Sequence, residues 1–177
     1  ATFYLNRTNR SGILNAGIIG GREQKGMWKI DARYNADDLI RRIESIAARS
    51  MDITLTQKDA LKFLKDGTTT WPTKTLIYLD PPYYEKGRDL YDDFYEHDDH
   101  ATIAKFVRNS IRRQHWIVSY DCSPQIQSLY DGERRILYDI GYSARSASQG
   151  REVMFFGKDL AVPPLVGAVK LVEATAV

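Results

Sequence analysis

Apolar residues Leu39, Ile40, Ile43, Ile46 and Ala47 recur at spacings of three and four, which predicts an amphipathic helix over Asp37 to Ala48 with Asn35 or Asp37 as its cap. Ile53-Thr54-Leu55 reads as a brief strand, and Gln57 to Lys65 as a short helix with Leu61 and Leu64 inward. The compact apolar run Leu76-Ile77-Tyr78-Leu79 predicts a short buried strand, bounded upstream by Thr68-Thr69-Thr70-Trp71-Pro72-Thr73. His100 to Arg112 has helical spacing, with Ile103, Phe106, Val107 and Ile111 inward and Asp98 or Asp99 as cap. Trp116 to Tyr120 predicts a second buried strand, and Asp121-Cys122-Ser123-Pro124 turns the chain into a short helix ending near Tyr130. Arg135 to Ile140 and Val153 to Phe156 supply two more strands. Strands alternating with helices define an α/β sheet.

Two regions have no sustained period. Residues 1 to 36 are punctuated by Gly12, Gly17, Gly20, Gly21 and Gly26 into loops and at most one hairpin. Residues 85 to 97 are polar and aromatic and read as a mobile loop.

The strand at Leu76–Leu79 runs into Asp80-Pro81-Pro82-Tyr83. Proline has no amide proton to donate and fixes φ, so the pair ends the strand and sends the chain out as a stiff, extended loop. Such a loop lies at the carboxyl end of a strand, where open α/β sheets bind ligands. Asp80 supplies one acceptor, the Pro81 carbonyl a second, and Tyr83 a flat face. That set suits an aromatic amine: an exocyclic amino group donating to both acceptors, its ring on Tyr83, has a lone pair drawn out of conjugation and ready to attack an electrophile. The competing reading is a strand that ends in a proline-rich turn with a carboxylate cap. Asp59 has two uses as well, as a helix cap or as an acceptor from a ligand.

Composition bounds the class. The chain has 177 residues, 43% hydrophobic and 27% charged, which is enough for one ordinary core with an appendage and excludes a disordered or fibrous chain. The net charge of +2 argues for no partner by itself, but residues 1 to 35 carry six basic side chains against two acids, while residues 80 to 100 carry eight acids against two bases. Arg and Asn on glycine-permitted turns suit phosphates and base edges, and Asn9 and Arg10 are the strongest candidates; Asn6 and Arg7 equally suit tying the segment to the rest of the chain. Cys122 is the only cysteine, so an internal disulfide and a cysteine-rich metal site are excluded. His97, His100 and His115 have no supporting ligands at recognised spacing, and no metal is predicted. Neither a signal peptide nor a membrane span is evident, which predicts a cytoplasmic protein.

The Asp80-Pro81-Pro82-Tyr83 string after a hydrophobic strand resembles the catalytic motif of the amino-directed DNA methyltransferases, and the surrounding sequence resembles the Dam-type adenine methyltransferases. Phe3-Tyr4-Leu5-Asn6-Arg7-Thr8-Asn9-Arg10-Ser11-Gly12-Ile13 is similar to that family's DNA-facing segment, Asp59-Ala60-Leu61-Lys62-Phe63-Leu64 to the segment before its catalytic strand, and Ile117-Val118-Ser119-Tyr120-Asp121 to the next strand and turn. The resemblance implies a Rossmann-like methyltransferase sheet, incomplete at its amino end, with an inserted DNA-recognition segment. The implied organisation is a DNA-recognition segment and packing helix over 1–50, a catalytic portion over 51–160 and a tail over 161–177. It further implies transfer of a methyl group from S-adenosylmethionine to the N6 amine of a flipped adenine in double-stranded DNA, as in restriction-modification. Asp80, Pro81, Pro82 and Tyr83 would be catalytic, Asp59 and Asp80 would face the cofactor, and Arg7, Asn9, Arg10 and Ser11 would contact DNA. The family's glycine-rich turn after a first strand has no match here, so an amino-terminal portion of the same enzyme is expected to be missing. The alternatives are an inactive DNA-binding remnant, a truncated fragment of such an enzyme, or a methyltransferase acting on another planar amine; Asp at the first motif position favours adenine.

Overall fold

The computed structural model describes residues 1–85, 94–141, 149–163 and 170–175; the predicted loop over 85–97 lies largely outside them. The chain forms two compact units, Ala1–Gln57 and Lys58–Val177.

In the first unit, α1 (Thr2–Thr8) stands where loops and at most one hairpin were expected. Its last turn is tied by Thr8 Oγ1 donating to the Tyr4 carbonyl at 2.9 Å. A short 3₁₀ turn over Arg10–Gly12 follows, with Ser11 at φ 57° and Gly12 at φ 75°. Asn9 and Ile18 form an isolated antiparallel bridge, the remnant of the expected hairpin. The predicted amphipathic helix is α2 (Ala36–Ala47), and Asn35 caps it by accepting from the Asp38 amide at 3.2 Å. Its inward face is narrower than the periodicity suggested. Leu39 is buried, whereas Ile40, Ile43 and Ile46 are 51%, 53% and 62% exposed.

The Ile53–Leu55 strand does not form: the segment has no regular structure, and Leu55 is 93% exposed. Three residues with no paired neighbour cannot satisfy a strand's backbone groups.

In the second unit, α3 (Ala60–Thr70) begins at Asp59, whose Oδ1 accepts from the Lys62 amide at 2.9 Å. It continues five residues past the predicted end because Gly67 lets the Trp71 ring fold back onto the helix; a Cβ at Gly67 would lie 2.0 Å from that ring. β1 (Leu76–Leu79) follows, then α4 (His97–Ser110), β2 (His115–Asp121), α5 (Pro124–Leu129), β3 (Arg134–Gly141), β4 (Gln149–Phe156) and β5 (Lys170–Thr175). The α4 cap is Glu96, in a reciprocal capping box with Asp99. Ser123 caps α5 with Pro124 in its first turn.

The five strands lie in the order β1-β2-β4-β3-β5. β1 and β2 are parallel, which requires the crossover that α4 supplies, and every other pair is antiparallel. The mixed sheet bears out the α/β expectation in its coarse form. β5 was not predicted; it lies in the segment read as a tail and pairs with β3.

Alternation divides the sheet. Ile77, Trp116, Val118, Tyr120, Leu137, Val153 and Phe155 point to one face and form the core with Leu64, Ile103, Val107 and Ile126 of the helices. Register places Tyr78, Ser119, Asp121, Glu152 and Tyr138 together on the other face. The core fixes the strands, and the second face is left to carry polar chemistry. Among the described residues, no helix is long and apolar enough to cross a membrane.

Candidate functional site

The polar side chains converge where β1 ends. Register pairs Leu79 with Val118, so the next residues, Asp80 and Ser119, lie side by side. Ser119 Oγ donates to Asp80 Oδ1 at 2.7 Å. Because that contact uses the serine's only proton, the Tyr78 hydroxyl 2.9 Å away must donate to Ser119. One carboxylate oxygen is thereby fixed. Asp80 is exposed, and among the described residues its Oδ2 accepts from no donor.

The loop beyond Asp80 is gripped twice more. Asp121, the last residue of β2, accepts from the Tyr84 amide through Oδ1 at 2.7 Å and from the Glu85 amide through Oδ2 at 3.0 Å. Glu152, on β4, is 8% exposed; its Oε1 accepts from the Tyr83 hydroxyl and its Oε2 from the Tyr138 hydroxyl, each at 2.9 Å. Burial, with the Glu152 carboxylate beside it, pushes the Tyr138 hydroxyl above its ordinary range, so it stays protonated as a donor. With φ fixed at Pro81 and Pro82 between these anchors, residues 80–85 have little freedom to rearrange.

A ladder of rings backs the loop. Tyr84 lies 5.2 Å from the His100 ring, which is 5.3 Å from Tyr95 and 5.4 Å from Tyr120. His100 is buried, and its Nδ1 is 2.9 Å from the Tyr120 hydroxyl. Burial lowers its pKa, against the opposing pull of Asp121 and Asp99, and burial drives Tyr120 far above the phenol range; both groups are neutral. Tyr84 also contacts His97 Nδ1 through its hydroxyl at 3.1 Å.

Asp59 serves as the α3 cap, and its charge together with that of Asp99 raises the Tyr95 hydroxyl beyond what burial does. The loop itself lies at the carboxyl end of β1. Clefts of about 290 and 320 Å³ lie at the opposite end, against Gln114, before the first residue of β2, and carry none of these groups.

In the first unit the predicted DNA-facing residues separate. Arg10 and Ser11 are exposed, and Arg7 is half-buried with its guanidinium 5.7 Å from the centre of the Phe3 ring. Asn9 is 3% exposed and turned inward: its amide nitrogen donates to the Leu14 carbonyl at 2.8 Å and the Ile13 carbonyl at 3.4 Å. It holds the turn, and so cannot present that amide to a base. Asn6 likewise donates to the Gly12 carbonyl at 3.1 Å.

Ser119, Asp121, Glu152, Tyr138 and Tyr78 were not identified from their own positions. Ser119 and Asp121 carried a usable signal, two polar residues at alternate positions of an otherwise apolar strand. No protein-family model matches the chain, and no curated protein sequence matches it.

Proposed function

We propose that the second unit carries the target-amine side of an adenine-specific DNA methyltransferase site, with Arg10 and Ser11 of the first unit available to double-stranded DNA. The supporting observation is the Asp80 carboxylate, held at Oδ1 by Ser119 while among the described residues Oδ2 accepts from no donor, at the start of a loop tied down at three points. Among the described residues the Pro81 carbonyl accepts no hydrogen bond, so a second acceptor of fixed direction lies beside it. An exocyclic amine that donates to both has its lone pair directed away from them. Charge that develops on the nitrogen is offset by Asp80, whose orientation costs nothing at the moment of reaction. A base must leave the duplex stack for its amine to reach Asp80, and the Tyr83 ring is the face that would receive it.

S-adenosylmethionine would supply the electrophilic methyl group. The described residues fit it only in part: Asp59 and Asp80 are the positions the resemblance assigns to the cofactor, but among the described residues no strand precedes β1 and no glycine-rich turn follows one. The second reading is a DNA-binding remnant without activity. Tritiated methyl transfer from S-adenosylmethionine to unmethylated genomic DNA, which contains every short target, separates the two. Label in N6-methyladenine supports the enzyme; DNA binding with no label supports the remnant.

A further inference from the structure

We infer that Glu152 is a positioning residue for Tyr83, and that the Tyr83 hydroxyl, rather than its ring alone, is a working part of the site. The inference rests on the reading of Tyr83 as the face that receives the base. A stacked base uses only the ring, and on that ground the hydroxyl would be dispensable.

The contacts argue otherwise. A phenol hydrogen prefers the plane of its ring, so a bond from Tyr83 to Glu152 restrains the ring's direction and resists rotation of its plane. Glu152 is a firm anchor: it is buried, it is mid-sheet between β2 and β3, and its second oxygen is held by Tyr138. The backbone on either side of Tyr83 is already fixed, by Pro81 and Pro82 before it and by Asp121 after it. The side-chain torsions of Tyr83 remain, and the bond to Glu152 restrains them. A pre-set ring meets the base without first losing rotamer freedom, which a loose ring would do on every encounter.

Two measurements on the full chain test this. With 3-fluorotyrosine placed at position 83, the fluorine resonance should shift and broaden in Glu152→Ala and return close to the unsubstituted position in Glu152→Gln, whose amide oxygen still accepts. A resonance identical in all three proteins would overturn the inference. Should Glu152→Ala fail to fold, Tyr83→Phe decides: kcat for methyl transfer to unmethylated genomic DNA should fall on the order of tenfold, the equivalent of one hydrogen bond, with KM for the methyl donor unchanged. Wild-type kcat in Tyr83→Phe would overturn it as well. A fluorine response in a chain that transfers no methyl group would sink the methyltransferase reading and leave the Glu152–Tyr83 restraint standing.

Discussion

Asp121 and Glu152 face each other across the β2–β4 ladder, and each carboxylate holds a different part of the same loop. Like charges directly opposite on a sheet disfavour the pairing. Here each is surrounded by donors: two backbone amides at Asp121 and two tyrosine hydroxyls at Glu152. The pair reads the loop at consecutive residues, Tyr83 by side chain and Tyr84 and Glu85 by backbone. Removing either carboxylate would therefore loosen the segment that carries Asp80 without touching Asp80 itself.

Gly67 makes room for Trp71 at the end of α3. Because a Cβ there would lie 2.0 Å from Trp71, a ring packed against the core, Gly67→Ala must displace that indole. The helix-propensity gain of about 1 kcal/mol for alanine should be overridden by overpacking of about 1 to 3 kcal/mol. Urea denaturation should show lower stability for Gly67→Ala. A variant more stable than wild type would mean that Trp71 moves aside at no cost.

His100 makes stability depend on pH. Its folded pKa lies below the ordinary value near 6.5, so between the two values the unfolded chain binds more protons than the folded one. Its contribution is complete above about pH 6.5 and is lost as pH falls toward the folded value, each tenfold preference for the neutral ring being worth about 1.4 kcal/mol. The groups facing it are Asp121 and Asp99, which favour the charged ring, and His97, which opposes it. His100→Gln should flatten the dependence between pH 7 and 5 while keeping a partner for Tyr120. Equal slopes in both proteins would show that His100 protonates freely when folded.

Arg10 stands exposed beside a turn with two residues at positive φ, and Asn9 behind it is committed to that turn. Arg10→Ala should weaken duplex binding by about 1 to 3 kcal/mol with relaxed sequence preference if it reads a base, and by less and uniformly if it meets a phosphate. Fluorescence anisotropy at low salt measures this, and unchanged affinity would remove Arg10 from the interface.

Local chemistry was legible in the sequence. The Asn35 and Asp59 caps, the strand at Leu76–Leu79 and the turn at Asp121–Pro124 all follow from residues within one helical turn of each other. What was not legible depends on register. The Tyr83–Glu152 contact spans 69 residues, and a shift of one residue between β2 and β4 would point Glu152 into the core. β5 escaped because its only support is pairing with β3. Ile40, Ile43 and Ile46 show the converse: helical spacing identified α2, yet spacing alone does not supply the surface that buries it.

The Asp80 carboxylate gives the sharpest test. In Asp80→Asn the amide oxygen can take either place, but with the amide nitrogen toward Ser119 the serine must reverse its hydrogen bond, and Tyr78 with it. The favoured arrangement keeps the amide oxygen on Ser119 and turns a donor toward the target amine. Two donors then face each other, and the negative charge that offsets the developing positive nitrogen is gone. Methyl transfer should fall on the order of a hundredfold to a thousandfold, the loss typical of one preorganised electrostatic contact at about 3 to 4 kcal/mol. DNA affinity, set by contacts elsewhere, should change little. Labelled transfer to unmethylated DNA measures the first and anisotropy the second. Full activity in Asp80→Asn would mean that Asp80 is an ordinary strand cap and that the chemistry lies elsewhere.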